Sequence, residues 1–220
     1  MEENMVTEKI LMRTAKVVSA IFTPFSIPFL AFVILLVASY LRIMPLVYKA
    51  TILSLVLIFT IVMPMLAILV YCRLRHLKTV DLNSRSLRFW PFIYTIISYV
   101  SCLVIMRKMN IPWYMTGIIV AALLMQLLCI IFNLKWKLSE HMAGAGAIIG
   151  GLIAFSDLFG YNPVWWLSVF ILVAGILGSA RITLGHHSIG EVLGGLVVGL
   201  LCSLVVLHPM FGMPFKFILF

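Results

Sequence analysis

The sequence predicts an all-α polytopic bundle of about six to seven transmembrane helices, folded as a single domain over residues 1–220. Composition is the first sign: 64% of the residues are apolar and only 10% are charged, against about 45–50% and 25% in a soluble domain. With a mean hydropathy of +1.18, too little polar surface remains to wrap a water-soluble sphere. Segmentation is the second sign, because the apolar residues fall into runs of the length a helix needs to cross hydrocarbon. Tryptophan placement is the third. Trp90, Trp113, Trp136, Trp165 and Trp166 all stand at the ends of those runs, where an amphipathic ring prefers the headgroup layer.

The runs lie near 17–40, 51–71, 90–106, 111–133, 142–159, 164–180 and 189–208. The first carries Pro24 and Pro28 early in its length, so six spans with one broken helix is the alternative to seven. The third is the shortest and carries several hydroxyls. The last three are rich in small residues: Gly146 and Gly150 in the fifth run, Ala174 and Gly178 in the sixth, and Gly190, Gly194, Gly195 and Gly199 in the seventh. Small residues four apart let helix backbones approach closely in lipid, where packing replaces the hydrophobic effect. These three helices are expected to form the packed centre.

The net charge of +9 comes from short basic clusters between apolar runs, the pattern of membrane topology and headgroup attraction, not of nucleic-acid binding. Cys72, Cys102, Cys129 and Cys202 lie in or beside apolar segments without a CxxC pair and read as reduced packing residues. The acidic start, MEENMVTEK, is followed by an apolar run with no small-residue cleavage site, unlike a removable signal peptide.

Most of the remaining polarity sits in the connections 72–89, 134–141, 156–163 and 181–188. The first, second and fourth follow even-numbered spans, so they share one membrane face with the N-terminus. That face gathers Lys78, Asp81, Arg85 and Arg88, then Ser139, Glu140 and His141, then Arg181, His186, His187 and Glu191. Titratable groups this near lipid are costly unless paired or used. Cations, imidazoles and a carboxylate delivered from three loops read as an oxyanion site with acid–base capacity, since guanidinium forks suit phosphate geometry. If a helix begins near Ser188, the i, i+4 spacing of His187 and Glu191 lets the carboxylate take one imidazole nitrogen and leave the other as nucleophile or ligand. Ser139 is placed to cap the helix that carries His141. Asp157 and Asn162, on the opposite loop, read as capping or solvated turn residues, and His208 as an interfacial one.

The residues resemble the type 2 phosphatidic acid phosphatase (PAP2) superfamily of membrane lipid phosphatases, whose signatures are K-x6-R-P, P-S-G-H and S-R-x5-H-x3-D. The chain shows Lys78-x6-Arg85, then Leu138-Ser139-Glu140-His141, then Ser179-Ala180-Arg181-x5-His187-x3-Glu191. It differs at Ser86, Leu138, Glu140, the extra Ala180 and Glu191, and Arg88 with Pro91 offers a second reading of the first signature. The resemblance implies a metal-independent phosphatase without a cofactor, acting on a lipid phosphate among membrane lipids. In it His187 is the nucleophile, Glu191 its orienting acid and His141 the general acid and base. Lys78, Arg85 or Arg88, Ser139 and Arg181 would bind phosphate. A catalytically inactive relative with a lipid-binding or structural role is the alternative. A haem or metal site on His141 and His187 would leave the clustered cations unexplained.

The chain's small size and lack of an organelle signal point to a bacterial inner membrane. The site face carries eleven Lys and Arg (Lys9, Arg13, Lys16, Arg73, Arg75, Lys78, Arg85, Arg88, Lys135, Lys137 and Arg181) against five opposite (Arg42, Lys49, Arg107, Lys108 and Lys216). The positive-inside rule would turn that face to the cytoplasm. Setting aside the four cations assigned to phosphate leaves seven against five, and the resemblance then favours the periplasm.

Overall fold

The computed structural model describes residues 2–76, 87 and 89–211, and every regular element among them is helical. Helices α1 (Glu2–Ile21) and α2 (Ser26–Ala38) precede a 3-10 turn at Tyr40–Ile43. Six further helices follow: α3 (Leu46–Leu74), α4 (Phe89–Lys108), α5 (Trp113–Asn133), α6 (Glu140–Phe159), α7 (Val164–Thr183) and α8 (Ile189–Leu207). Each of these six is long and apolar enough to cross a membrane. The protein is a polytopic helical bundle.

The first predicted span, 17–40, is not one helix. Lys9–Ile21 and Ser26–Val37 meet at a bend of 67° and amount to a seventh crossing only if taken together as one broken span. Pro24 lacks an N–H, and its ring collides with the carbonyl one turn back, so α1 stops at Ile21. Ser26 repairs the gap: its hydroxyl donates to the Thr23 carbonyl at 2.8 Å, and its N–H reaches the same carbonyl at 3.1 Å.

Helix α3 runs beyond the predicted 51–71 at both ends and contains a π-helical stretch, Ile58–Val62. Pro64 follows at once, and the wider turn absorbs its missing N–H. The hydroxyls that made the next run look marginal are spent locally. Thr95 donates to the Pro91 carbonyl and Ser101 to the Ile97 carbonyl, while Ser98 crosses to the Phe59 carbonyl inside the π stretch. Between α4 and α5 the chain reverses at Asn110, which takes a left-handed φ of 52°. There the Ile111 N–H bonds the Met106 carbonyl and the Asn110 N–H bonds the Arg107 carbonyl, a Schellman closure that suits asparagine.

The closest helix approach joins α6 to α8, two elements separated in sequence by the whole of α7. A Cβ built on Gly150 would stand 2.5 Å from the Leu200 carbonyl oxygen, and one on Gly195 2.5 Å from that of Ser139. Gly146 and Gly199 meet the Leu196 and Ala143 carbonyls more closely still. The four glycines therefore form a backbone-to-backbone seam in which no side chain fits. Gly178 of α7 faces Val192 and Met142, and Gly190 and Gly194 lie under the Trp136 ring. All four cysteines are buried, and none forms a disulfide.

Consecutive spans alternate in direction, so the links after α5 and α7 share one end of the bundle. At the other end Asp157 is not a turn cap. Its carboxylate lies 3.5 Å from His208 Nε2, joining the ends of α6 and α8, and the cap of α7 is Asn162, whose Oδ1 accepts from the Val164 N–H at 3.0 Å.

Candidate functional site

The segment from Arg181 to Glu191 is held on both sides of His187. Upstream, α7 ends in a second Schellman motif: the Gly185 N–H bonds the Ile182 carbonyl at 2.9 Å and the His186 N–H bonds the Arg181 carbonyl at 3.2 Å. Gly185 supplies the left-handed φ of 66° that this closure requires. Downstream, Ser188 caps α8 in a capping box, its Oγ accepting from the Glu191 N–H while the Glu191 carboxylate accepts from the Ser188 N–H at 3.0 Å. Backbone geometry is thereby fixed immediately before and after the imidazole.

The same Glu191 Oε2 lies 3.3 Å from His187 Nδ1, and the Lys137 carbonyl oxygen lies 3.2 Å from that nitrogen. Both partners only accept, so Nδ1 carries the proton and the neutral ring keeps its lone pair on Nε2. Glu191 thus serves the helix end and the imidazole at once. Replacing Ser188 with alanine removes one half of the box and is expected to cost about 1 kcal/mol, read as a lowered thermal midpoint of the detergent-solubilised protein, and to loosen the carboxylate from His187.

The link between α5 and α6 packs against this segment. Lys137 Nζ donates to the His186 carbonyl at 3.3 Å, and the Ser139 N–H donates to the Glu191 carbonyl at 3.1 Å. Ser139 occupies the N-cap position of α6, but its hydroxyl does not cap, contrary to the sequence expectation. Ser188 caps reciprocally with Glu191 three residues on, where Ser139 has Met142 and can form no such box. The Ser139 hydroxyl is fully buried and has no hydrogen-bond partner among the described residues. A buried hydroxyl in that condition costs about 1–3 kcal/mol.

Arg181 is buried, and its Nη1 donates to the hydroxyl of Ser19 at 2.7 Å. His141, half-buried in the first turn of α6, places Nε2 3.2 Å from the Ser19 carbonyl oxygen. That contact assigns the proton to Nε2 of His141. His141, Arg181, His187, Glu191 and Ser139 therefore share one end of the bundle, linked through Ser19, the Lys137 carbonyl and the Ser139–Glu191 backbone bond. Lys78, Arg85 and Arg88 lie outside the described residues. Two contributors carry no signal in the sequence, Ser19 on α1 and the carbonyl of Lys137. The capping box does carry one, as the S-x-x-E pattern of Ser188-Ile-Gly-Glu191.

No protein-family model, curated protein or solved structure matches the chain. What the site can do must be judged from its chemistry. A histidine with its lone pair on a defined nitrogen, a carboxylate behind it, a second oriented imidazole, a buried guanidinium and a buried hydroxyl are groups of the chemical types from which a nucleophile, an acid–base group and anion donors can be drawn.

Proposed function

We propose that the protein is a membrane phosphatase of the PAP2 kind, hydrolysing a lipid phosphate monoester or diphosphate through a phosphohistidine intermediate. The observation that carries this reading is the pair of acceptors on His187 Nδ1, which leaves Nε2 as the nucleophilic nitrogen. Nε2 attacks phosphorus, the bond from phosphorus to the lipid oxygen breaks, and the His141 imidazolium supplies the proton that the departing oxygen takes. His141 then removes a proton from water as the water attacks the phosphoryl group, and the phosphorus–nitrogen bond breaks to release phosphate. Glu191 stabilises the positive charge that His187 carries as the phosphoryl group arrives. Arg181 and the Ser139 hydroxyl, with Lys78 and Arg85 or Arg88, hold the equatorial oxygens.

The lipid character of the substrate is supported by the place of the site at the end of a bundle of helices apolar enough to cross a membrane. Phosphatidic acid, phosphatidylglycerol phosphate, polyprenyl phosphates and diphosphates, and lipid A phosphates share the required headgroup. The membrane we propose is a bacterial inner membrane, and by resemblance to the PAP2 superfamily the site would face the periplasm.

Phosphate release from a panel of these lipids by the detergent-purified protein, with EDTA present, tests the proposal. Release that survives EDTA is expected. Release that needs an added divalent ion would overturn the histidine mechanism, and no release from any lipid would favour the inactive, lipid-binding alternative.

A further inference from the structure

The contacts of Ser19 belong to none of the three loop motifs. Ser19 stands two residues before the end of α1, is 8% exposed, and offers two oxygens to two different functional side chains. Its hydroxyl accepts from Arg181 Nη1 at 2.7 Å, and its carbonyl accepts from His141 Nε2 at 3.2 Å. Arg181 is itself only 4% exposed, so this bond forms away from bulk water, where a charge-assisted hydrogen bond fixes geometry strongly. The carbonyl is free to serve His141 because α1 ends at Ile21, short of the turn that would otherwise use it. The bonds that repair the break, from Ser26 onto the Thr23 carbonyl, do not involve the Ser19 carbonyl.

We propose that Ser19 is a positioning residue of the anion site, setting the guanidinium of Arg181 with its side chain and the ring of His141 with its main chain. The assignment rests on the phosphatase reading for its kinetic consequences, but not for its consequence on anion binding. Each imidazole of the site then has a carbonyl behind it, Lys137 for His187 and Ser19 for His141. Helix α1 thereby joins the two described links, 134–141 and 181–188, as a contributor to the site.

The two oxygens are separable by experiment, since substitution removes the hydroxyl and spares the carbonyl. Ser19→Ala should remove the hydroxyl bond that sets Arg181 Nη1, while His141 keeps its acceptor. Weaker hold on the anion in ground and transition states alike raises KM and leaves kcat nearly unchanged. An increase of about tenfold in KM for the lipid phosphate, with kcat within about threefold of wild type, is expected, and Ser19→Thr, which retains a hydroxyl, should restore KM. Binding of inorganic phosphate, followed by its effect on the thermal midpoint of the purified protein, should weaken in step. In an Arg181→Gln background Ser19→Ala should have little further effect, because the two act as one unit.

Wild-type KM and phosphate binding in Ser19→Ala, or an equal further loss in the Arg181→Gln background, would overturn the assignment while leaving the phosphatase reading intact. If the wild-type protein hydrolysed no lipid phosphate but bound inorganic phosphate with this dependence on Ser19 and Arg181, the phosphatase reading would fall and the positioning role would stand. Absence of both hydrolysis and phosphate binding would overturn both.

Discussion

Replacing His187 with alanine or asparagine is expected to reduce phosphate release by at least about 10,000-fold, the scale on which loss of a covalent nucleophile acts. Neither residue can accept a phosphoryl group on nitrogen, so the chemistry stops at its first step. The two substitutions are needed together because the His187 side chain has no exposed surface. Its position near the loop suggests a nucleophile that could be trimmed without effect on packing, yet alanine would leave a hole beside the Lys137 carbonyl and strand the Glu191 carboxylate. Asparagine keeps a donor near those two acceptors. Both variants should be inactive, and asparagine should retain a thermal midpoint closer to that of the wild type. Turnover near the wild-type rate in either would remove His187 from the mechanism.

Gly199→Ala is expected to be the most damaging single-atom change in the bundle. Its Cβ would overlap the Ala143 carbonyl of α6, and backbone cannot rotate aside as a side chain can. Overpacking of this kind costs about 1–3 kcal/mol, occasionally more, and a seam without side chains places it at the upper end. A fall of about 6–12 °C in the thermal midpoint corresponds to about 3 kcal/mol in a chain of this size. Gly175→Ala provides the comparison, since its Cβ would meet nothing within 4 Å, and its midpoint should stay within about 2 °C of wild type. Equal effects from the two would show that helix propensity, not the seam, governs both.

The spans were legible because hydrocarbon imposes its thickness on the sequence, and the small residues of the fifth and seventh runs carried the closest helix approach; a packed centre of the last three helices is not what forms, since α5 is more buried than α7 or α8. The break in the first run was marked by Pro24, but the sequence alone did not decide whether a proline early in a helix bends it or ends it. Within the site, the pairing of His187 with Glu191 was readable from spacing because both stand within one turn of a helix start. Ser19 was not readable in that way. A lone serine in an apolar run has no periodic partner, and its role arises from a packing between α1 and the rest of the site across more than a hundred residues. Ser139 misled for the opposite reason: its position is that of a cap, but only the residue three places on completes the box.

The seam between α6 and α8 also bears on the order in which the protein becomes competent. A chain is made from its N-terminus, so α6 is inserted with its glycine face unfilled until α7 and then α8 have emerged. The bond from the Ser139 N–H to the Glu191 carbonyl, and that from His187 to Glu191, await the same helix. His187 is thus paired with Glu191 only once the first turn of α8 has been made. A ribosome that stalls before α8 leaves α6 without the helix that fills its glycine face.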